Sequence, residues 1–405
     1  MLKFSLNSFL HMSKIKVLVL PSDRTGVGKF RSLDPHIKLN EMFGDEFEVD
    51  INYEPDFSDE FLTQYDIIHA HRTLGSYETA PETLKRLRTL GVKCILDLDD
   101  YWAPGVEHPA YHIIKSYDLA SKIVDNIKAA EFITTTTPVF ADKIKESNKN
   151  VHILPNAVDD KQKQFQPKPE ESEFLRIGWL GGSSHYHDLA QLGGITRSLE
   201  KDFNHLQYVL CGFDTRGKVT YIDPQTRQQK EREIKPHETV WFQYEGLLDV
   251  NSLVSQKYKD HLSLYENKPF DGEKNEKYRR VWTKPVTSYA NNYNLFDISL
   301  APLKPVMFNL MKSQLKVIEA GFHKKCLVAQ DVAPYQLDIV NGKNGILVPY
   351  KKNSKPWYKA LKRLIKEPNQ IKDLGEALYE TVKNTYSLEK VTTDRAELYR
   401  SIVKK

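Results

Sequence analysis

The chain has 405 residues, of which 40% are hydrophobic and 28% are charged, and its formal net charge is +4. This length exceeds a single average core and predicts two domains, and the composition excludes a disordered or fibrous protein. The absence of an apolar run of about 18 residues excludes a transmembrane helix, and the wide spacing of Cys94, Cys211 and Cys326 excludes a disulfide framework and a zinc site.

The N-terminal half begins with a short extension at 1–13. The run MLKFSLNSFLHM is interrupted by Ser and Asn and is not followed by a small-residue cleavage site, so we expect no functional role for it. From IKVLVL to VHILPNAVD, short apolar runs alternate with helical patterns. This alternation predicts an N-terminal domain at 14–165 with a parallel sheet covered on both faces.

The second half begins after a polar stretch, DDKQKQFQPKPEESEF, that is typical of a linker. The alternating pattern returns in LRIGWL, LQYVLCGF, FDISLAPL, CLVAQ and GILVPY, which predicts a second α/β domain at 172–385. A charged insertion is expected at about 214–285, with ETVWFQYEG as a strand inside it. Two such domains place a ligand at the carboxyl ends of their strands, in the cleft between them.

The loop after the first strand, PSDRTGVGKFRS, is a candidate phosphate or acceptor loop. Gly26 and Gly28 allow the backbone to approach a ligand closely, and Lys29 and Arg31 add positive charge. The loop is not a P-loop, because Asp23 stands where the first glycine should be. A simple strand-to-helix turn is the alternative.

Two further loops of the N-terminal half carry candidate catalytic residues. In IHAHR, His69 and His71 share one face of a strand end, where a histidine can bond to a sugar hydroxyl or move a proton. In LDLDDYW, the Asp97 and Asp99 pair could hold a divalent metal, while Asp100 turns into the loop. Alternatively, one of the three carboxylates is a base or hydroxyl acceptor and another caps the following helix. No further ligand completes a metal cage nearby, so we expect no metal.

Two segments of the second half indicate an anion site. In GWLGGSSHYHDL, Gly182 and Ser183 form a turn before a helix whose free N–H groups can bind an anion, with His185 in its first turn. In MFNLMKSQLKVIEAGF, an apolar stripe lies beside a polar stripe on one predicted helix. The apolar stripe is Met311, Leu315, Ile318 and Phe322, and the polar stripe is Lys312, Lys316 and Glu319. Its polar stripe is either a solvated face or a site for phosphates and a ribose.

Taken in order, these segments resemble the group 1 family of retaining, nucleotide-sugar glycosyltransferases with the GT-B fold. The resemblance extends over nearly the whole chain and rests on YDIIHAHR, ILDLDD, ITTTTPVFADKI, VHILPNAVD, IGWLGGSSHYHDL, FDISLAPL and KSQLKVIEAG. It implies two Rossmann-like doubly wound domains facing across a cleft. It also implies that the last segment, 386–405, is a helix that crosses back onto the N-terminal domain.

The resemblance implies roles for individual residues. Glu319 would accept hydrogen bonds from the donor ribose, and His71 and Asp100 would lie at the reacting sugar and the acceptor. The diphosphate would be held, without a metal, by Gly182, Ser183, Lys312, Ser313 and Lys316. The chain departs from the family at Met311, where a second glutamate is usual, and at GGSSHYH, where an Arg and a Lys are usual. Asn309, Lys312 and Lys316 are expected to compensate.

The acceptor is left open between several classes. PSDRTGVGKFRSLDPHIKL is similar to the start of glycosyltransferases of tailed bacteriophages, some of which modify hydroxymethylated DNA bases. The insertion mixes basic and aromatic residues, which suits DNA, with glutamates, which suit a solvated surface. A polysaccharide, lipid-linked or protein acceptor, a related epimerase or phosphorylase, and an inactive binding protein are the alternatives. The expected location is the cytoplasm, that of the host for a phage protein.

Overall fold

The computed structural model describes residues 13–404, so the predicted extension lies outside the described residues except for residue 13. Two six-stranded sheets, each with only parallel neighbours, form the centres of two α/β domains. Within the described range, no helix is both long and apolar enough to cross a bilayer.

The first sheet has the strand order β2-β1-β3-β4-β5-β6. Its strands are β1 (Ile15–Leu20), β2 (Phe47–Ile51), β3 (Ile67–His71), β4 (Lys93–Leu98), β5 (Phe132–Thr135) and β6 (Val151–Ile153). Both faces are covered, since Val17 and Val19 of β1 belong to one buried cluster and Leu18 to another. The direction in which successive strands are added reverses between β1 and β3. Doubly wound sheets bind ligands at such a position, outside the carboxyl ends of the strands.

Helices cover both faces of this sheet. They are α1 (Gly26–Gly28), a π-helical turn (Lys29–Leu33), α2 (Asp34–Phe43), α3 (Asp59–Leu62), α4 (Ala80–Thr89), α5 (Tyr111–Ser116), α6 (Leu119–Ala129) and α7 (Pro138–Lys145). Thr137 begins α7 by accepting the N–H of Phe140, and Pro138 occupies the first turn, where a missing N–H costs nothing.

The second sheet has the order β11-β8-β7-β12-β13-β14. Its strands are β7 (Leu175–Leu180), β8 (Leu206–Phe213), β11 (Tyr278–Trp282), β12 (Ile298–Ala301), β13 (Cys326–Gln330) and β14 (Ile346–Val348). A separate antiparallel hairpin contains β9 (Lys218–Ile222) and β10 (Gln229–Glu233). The order of the sheet reverses between β7 and β12, so the loops after these two strands flank a second ligand position.

The remaining helices belong to the second domain, except the last. They are α8 (Tyr186–Leu189), α9 (Ile195–Glu200), α10 (Val240–Leu247), α11 (Gln256–Ser263), α12 (Met307–Leu310), α13 (Leu315–Phe322), α14 (Ala333–Gln336), α15 (Lys355–Lys366), α16 (Pro368–Val382) and α17 (Leu388–Val403). Short 3-10 turns lie at Lys163–Phe165, Ala190–Leu192, Pro236–Glu238, Val250–Ser252, Glu273–Asn275 and Tyr289–Leu295.

The prediction of a strand in ETVWFQYEG is wrong, because this segment forms α10. Thr239 caps the helix, and its buried face places Glu245 against the guanidinium of Arg280 at 2.7 Å. Sequence reasoning missed the hairpin strands β9 and β10, and it also missed the edge strand of the sheet, β11, at the end of the predicted insertion. Strand β11 was missed because it contains Arg279 and Arg280, whose charges are bonded to glutamates far away in sequence.

The single helix predicted from Met307 to Phe322 is also wrong, since it is divided into α12 and α13. The stripe is broken at Met311, which packs with the N-terminal domain in the cluster of Leu18 and Leu98. Ile318 and Phe322 pack with the second domain instead. Met311 therefore contacts the opposite domain from a position between α12 and α13.

The C-terminal helix crosses back onto the N-terminal domain, as predicted. Ala396, Tyr399 and Ile402 of α17 share a buried cluster with Val17 and Phe47. The interdomain linker is less exposed than its polar sequence suggested, because Phe165 is buried and Gln164 bonds to the carbonyl of Val286. The linker and α17 therefore both join the two domains.

Candidate active-site cleft

A cavity of about 720 Å³ lies between the carboxyl ends of the two sheets. Its wall includes loops that follow β1, β4, β7 and β11 and the segment that leads into α13. Nine of the predicted site residues line it: Gly26, Arg31, Asp100, Gly182, His185, Lys312, Ser313, Lys316 and Glu319. Gly28, Lys29, His71, Ser183 and Asn309 are not part of its wall. The volume is in the range of small-molecule sites.

A buried carboxylate, Glu319, forms one end of the cavity. It is 1% exposed and accepts hydrogen bonds from the hydroxyls of Tyr289 and Tyr293 and, at 3.2 Å, from the ammonium of Lys316. A carboxylate has about four lone-pair positions, so capacity for a further donor remains. Burial beside Glu319 raises the pKa of both tyrosines well above the usual value, so both remain hydroxyl donors.

Three ammonium groups lie along the wall next to this carboxylate. Lys316 contacts Glu319, and Lys312 lies 3.9 Å from Asp100 and above the ring of Phe308. Lys284 follows β11 and is exposed at the cavity; within residues 13–404 no carboxylate forms an ion pair with it. The cavity therefore has a positive centre between Glu319 at one end and Asp100 at the other.

The glycines of the loop after β1 and of the loop after β7 differ in their surroundings. A Cβ added to Gly26 or Gly182 would meet no atom within 4 Å, so both positions open into the cavity. A Cβ on Gly28 would lie 2.0 Å from the carbonyl oxygen of Asp23, so this glycine serves the packing of its own loop. The structure thus separates Gly28 from the ligand position predicted for it.

The two cations predicted for the first loop are paired inside the domain. Lys29 is buried and bonded to Asp34. Arg31 is 1% exposed and donates from Nε and Nη2 to both oxygens of Asp97, at 2.9 and 2.6 Å. These bonds hold the pKa of Asp97 well below its usual range, although burial alone would raise it. Neither cation is a free phosphate ligand.

Arg31 also connects the two domains through one intermediate residue. Its Nη1 donates to the carbonyl of Leu154 at 2.7 Å and to the side chain of Asn156 at 3.2 Å. Asn156 in turn donates to the hydroxyl of Ser313 at 3.0 Å. Ser313 thus contacts the N-terminal domain at the point where the cavity wall leads into α13.

His71 lies behind the cavity wall. It is 1% exposed and donates from Nε2 to Asp99 at 3.2 Å, and Arg72 binds the same carboxylate at 2.9 Å. Burial would raise the pKa of Asp99, but these two partners hold it well below its usual range. Burial and the charge of Asp99 together raise the pKa of the neighbouring Asp100, which reaches the cavity.

A smaller cavity of about 240 Å³ lies at the domain boundary beside the main one. Its wall contains Asn309, which donates to Asp188 at 2.9 Å, and His108, whose ring lies 4.6 Å from that of Phe308. Glu107 and Lys304 close one side with an ion pair of 2.6 Å that joins the two domains. Asn309 is therefore near, but not in, the wall that holds Glu319.

Sequence reasoning missed Tyr289 and His108, and it counted Lys284 among the basic residues of the insertion that could bind DNA instead of placing it at the cleft. Lys284 and Tyr289 lie after β11, a strand that was not recognised, so their position at a strand end was hidden. His108 follows β4 in the loop that begins with Asp99 and Asp100, and its place after a strand was an available signal. Burial lowers the pKa of His108, and the charge of Lys312 lowers it further.

Four basic residues in and beside the hairpin form ion pairs with acids. Arg216 pairs with Asp214, Lys218 with Glu231, Lys230 with Asp223 and Arg232 with Glu238. This pairing agrees with the solvated surface that was the alternative to a DNA-binding face. Among residues 13–404, no group of three His, Cys, Asp or Glu residues is arranged to hold a metal ion.

Comparison with known proteins shows the fold. No protein-family profile and no curated protein sequence matches the chain. A glycosyltransferase from Rickettsia africae matches 97% of this chain and 100% of its own, with 13% identity and a TM-score of 0.59. HepE from Anabaena, solved with UDP and glucose, matches 96% and 100%, with 11% identity and a TM-score of 0.62.

A third solved structure agrees with these two. The catalytic domain of starch synthase IV from Arabidopsis thaliana, bound to ADP and acarbose, matches 97% of this chain and 100% of its own, with 12% identity and a TM-score of 0.57. These neighbours are glycosyltransferases of the GT-B type, and the match covers both sheets and the crossing helix. The chain has the GT-B fold.

Proposed function

We propose that the protein is a glycosyltransferase that moves a sugar from a nucleoside diphosphate sugar to an acceptor hydroxyl. One observation carries the proposal: the order of groups in the 720 Å³ cavity, with buried Glu319 at one end, the ammoniums of Lys316 and Lys312 in the middle, and Asp100 at the other. A ribose, a diphosphate and a sugar occur in the same order in such a donor.

The donor is proposed to lie mainly on the second domain. Glu319 would accept hydrogen bonds from the ribose hydroxyls, and Gly182 leaves room for the diphosphate to approach the backbone. Lys284, Lys312 and Lys316 would stabilise the charge that develops on the leaving nucleoside diphosphate. The UDP and ADP of two structural neighbours support a nucleoside diphosphate and leave the base open.

In the proposed transfer, the bond between the sugar C1 and the phosphate oxygen breaks and the acceptor oxygen bonds to C1. Asp100 would accept a hydrogen bond from a hydroxyl of the sugar or acceptor, a task that its raised pKa favours. His71 would act as a positioning residue, because it contacts Asp99 and not the cavity. In the proposed retaining reaction, the acceptor proton passes to the leaving phosphate oxygen. The coupling constant of the anomeric proton in the product tests whether the configuration at C1 is retained.

For the acceptor, we propose a neutral hydroxyl compound. The acid–base pairing in the hairpin leaves little net positive charge there for a polyanion. Duplex DNA with hydroxymethylated bases is the second candidate. It is favoured by Arg24, which lines the cavity and has its guanidinium 4.2 Å above the ring of Tyr53. A cation beside an aromatic ring suits a nucleic acid, in which a phosphate lies beside a base.

The test is release of nucleoside diphosphate from a panel of UDP- and ADP-sugars, with glycans, simple alcohols or hydroxymethylated duplex DNA as acceptors. We expect release from one donor, stimulated by one acceptor class and reduced about 100-fold in Glu319→Gln, since charged hydrogen bonds contribute about 1.5–3 kcal/mol each. Glu376→Gln, an exposed site away from the cavity, is the control. Nucleotide binding without release from any donor would instead support an inactive binding protein.

A further inference from the structure

A second cluster of buried polar groups lies beneath α17, away from the cavity. Ser32, His36, His69, Thr392 and Arg395 are all 0% exposed. They come from four elements: the π-helical turn, α2, strand β3 and α17. The crossing helix therefore covers polar side chains of the N-terminal domain as well as the apolar cluster of Val17 and Phe47.

The hydroxyl of Tyr399 is the centre of this cluster. It lies 2.7 Å from His36 Nε2, 3.1 Å from His69 Nδ1 and 3.3 Å from Arg395 Nη1. His36 Nδ1 faces the carbonyl of Ser32 at 2.6 Å and must donate to it, so its Nε2 accepts the Tyr399 proton. His69 Nδ1 then donates to the Tyr399 oxygen.

The positive charge of the cluster exceeds its negative charge. Asp97 is its carboxylate, and Arg31 is bonded to both oxygens. Arg395 forms no ion pair within the described residues, and its one hydrogen bond is the 3.3 Å contact to Tyr399. Burial and the nearby Arg395 lower the pKa of His36 and His69, so both imidazoles are neutral. The cluster therefore contains two guanidiniums, and its one carboxylate is bonded to Arg31 and not to Arg395.

Within the described residues, several buried polar atoms of this cluster lack a hydrogen-bond partner. Nε of Arg395, Oγ of Ser32 and Oγ1 of Thr392 are buried atoms without a hydrogen bond. Thr392 lies three residues before Arg395 on the same face of α17, and Ser32 lies one turn before His36, which shares Tyr399 with Arg395. Buried donors without partners are rare, and an unpaired buried charge costs several kcal/mol.

We propose that Arg395, Ser32 and Thr392 form a binding site for a small monovalent anion of halide size beneath the crossing helix. One negative charge balances the second guanidinium, and a halide accepts from the N–H and the two hydroxyls without offering a donor of its own. Because α17 joins the domains, the bound anion stabilises the docking of this helix.

The test compares thermal unfolding of the full chain in potassium chloride or bromide with that in potassium gluconate at equal ionic strength. We expect a saturable rise in Tm of about 2 °C with halide, because a ligand of the folded state stabilises it by mass action. Arg395→Met should abolish the rise. Arg400→Met, on the same helix but paired with Glu46 at the surface, should keep it.

Two measurements keep the proposal falsifiable if Arg395→Met does not fold. Thr392→Val retains the guanidinium and removes one donor, so the halide concentration at half-effect should rise several-fold. Crystals grown in bromide should show an anomalous peak beside the Arg395 guanidinium. A site filled by water only, equal Tm values in halide and gluconate, or an unchanged halide response in Thr392→Val would overturn the proposal.

Discussion

The glycine loop after β1 and the segment that leads into α13 both line the cleft, but they use charge in different ways. In the N-terminal domain, Lys29 and Arg31 are bound by Asp34 and Asp97 inside the fold. In the second domain, Lys312 and Lys316 lie 24% and 29% exposed at the cavity. A loop with glycines and cations is therefore not by itself an anion site, and the partner of each cation decides its role.

This contrast assigns the two halves different tasks. The second domain presents positive charge to a ligand, which suits a diphosphate. In the N-terminal domain Lys29 and Arg31 are neutralised, while Arg24 and Asp100 are presented to the cavity. The Asp100 carboxylate suits a hydroxyl group of the acceptor. The predictions below test whether charges in the first half maintain the fold and charges in the second half bind the donor.

The largest expected effect is on stability, from Arg31→Met. The substitution leaves Asp97 buried without its partner, which costs about 3–5 kcal/mol of unfolding free energy. Urea denaturation measures this loss, with Arg400→Met, whose partner Glu46 lies at the surface, as the comparison. If Arg31→Met kept its stability but lost donor binding, Arg31 would be a ligand residue. The charges of the N-terminal half would then not serve the fold alone.

A smaller effect separates two kinds of glycine. Gly28→Ala forces the loop away from the Asp23 carbonyl and should cost about 1–3 kcal/mol of stability. Gly182→Ala meets no protein atom within 4 Å, so its Tm should remain unchanged while the donor KM rises. Thermal unfolding and initial-rate kinetics on both variants measure this. Equal Tm losses would mean that Gly182 also serves packing.

Substitution of a lysine that lines the cavity should weaken nucleotide binding without affecting the fold. We expect Lys316→Met to raise the Kd for a nucleoside diphosphate about tenfold, equal to about 1.4 kcal/mol, and to reduce its salt dependence. Lys29→Met is the matched variant from the first loop and should leave the Kd within twofold. Isothermal titration calorimetry measures both, and a reversed order would contradict the assignment.

The smallest effect is a pH dependence of stability. The folded-state pKa values of Asp97 and Asp99 lie well below the unfolded value of 3.8. Their ionised forms therefore stabilise the fold fully above about pH 4, and this contribution is lost as the pH falls below that value. Asp99→Asn should reduce the loss of Tm between pH 5 and 3 by an amount corresponding to about 1 kcal/mol. An exposed control, Asp142→Asn, should leave the acid dependence unchanged.

The sequence predicted the two sheets because apolar runs such as IKVLVL and CLVAQ are buried on both faces and are separated by helical patterns. It also predicted the crossing helix, through a resemblance that extends to the end of the chain. Strand β11 was not predictable in this way. Arg280 is neutralised by Glu245, 35 residues earlier, and no local pattern reveals such a partner.

The same limit applied to the cleft. Lys312, Lys316 and Glu319 could be placed together because they follow one another at spacings of four and three positions, which bring side chains to one face of a helix. The partner of Arg31 is 66 residues away, so the burial of this side chain could not be deduced from its loop. The packing of Met311 on the opposite domain is likewise a property of the assembled cleft.

The most direct test of the central claim is equilibrium binding of UDP and ADP to the wild type, Glu319→Gln and Asp100→Asn. The account predicts that Glu319→Gln weakens binding of the preferred nucleotide by about 10–100-fold, because the carboxylate that faces the ribose is lost. It predicts that Asp100→Asn leaves binding within twofold. Unchanged binding in Glu319→Gln, or a larger loss in Asp100→Asn, would contradict a donor site on the second domain.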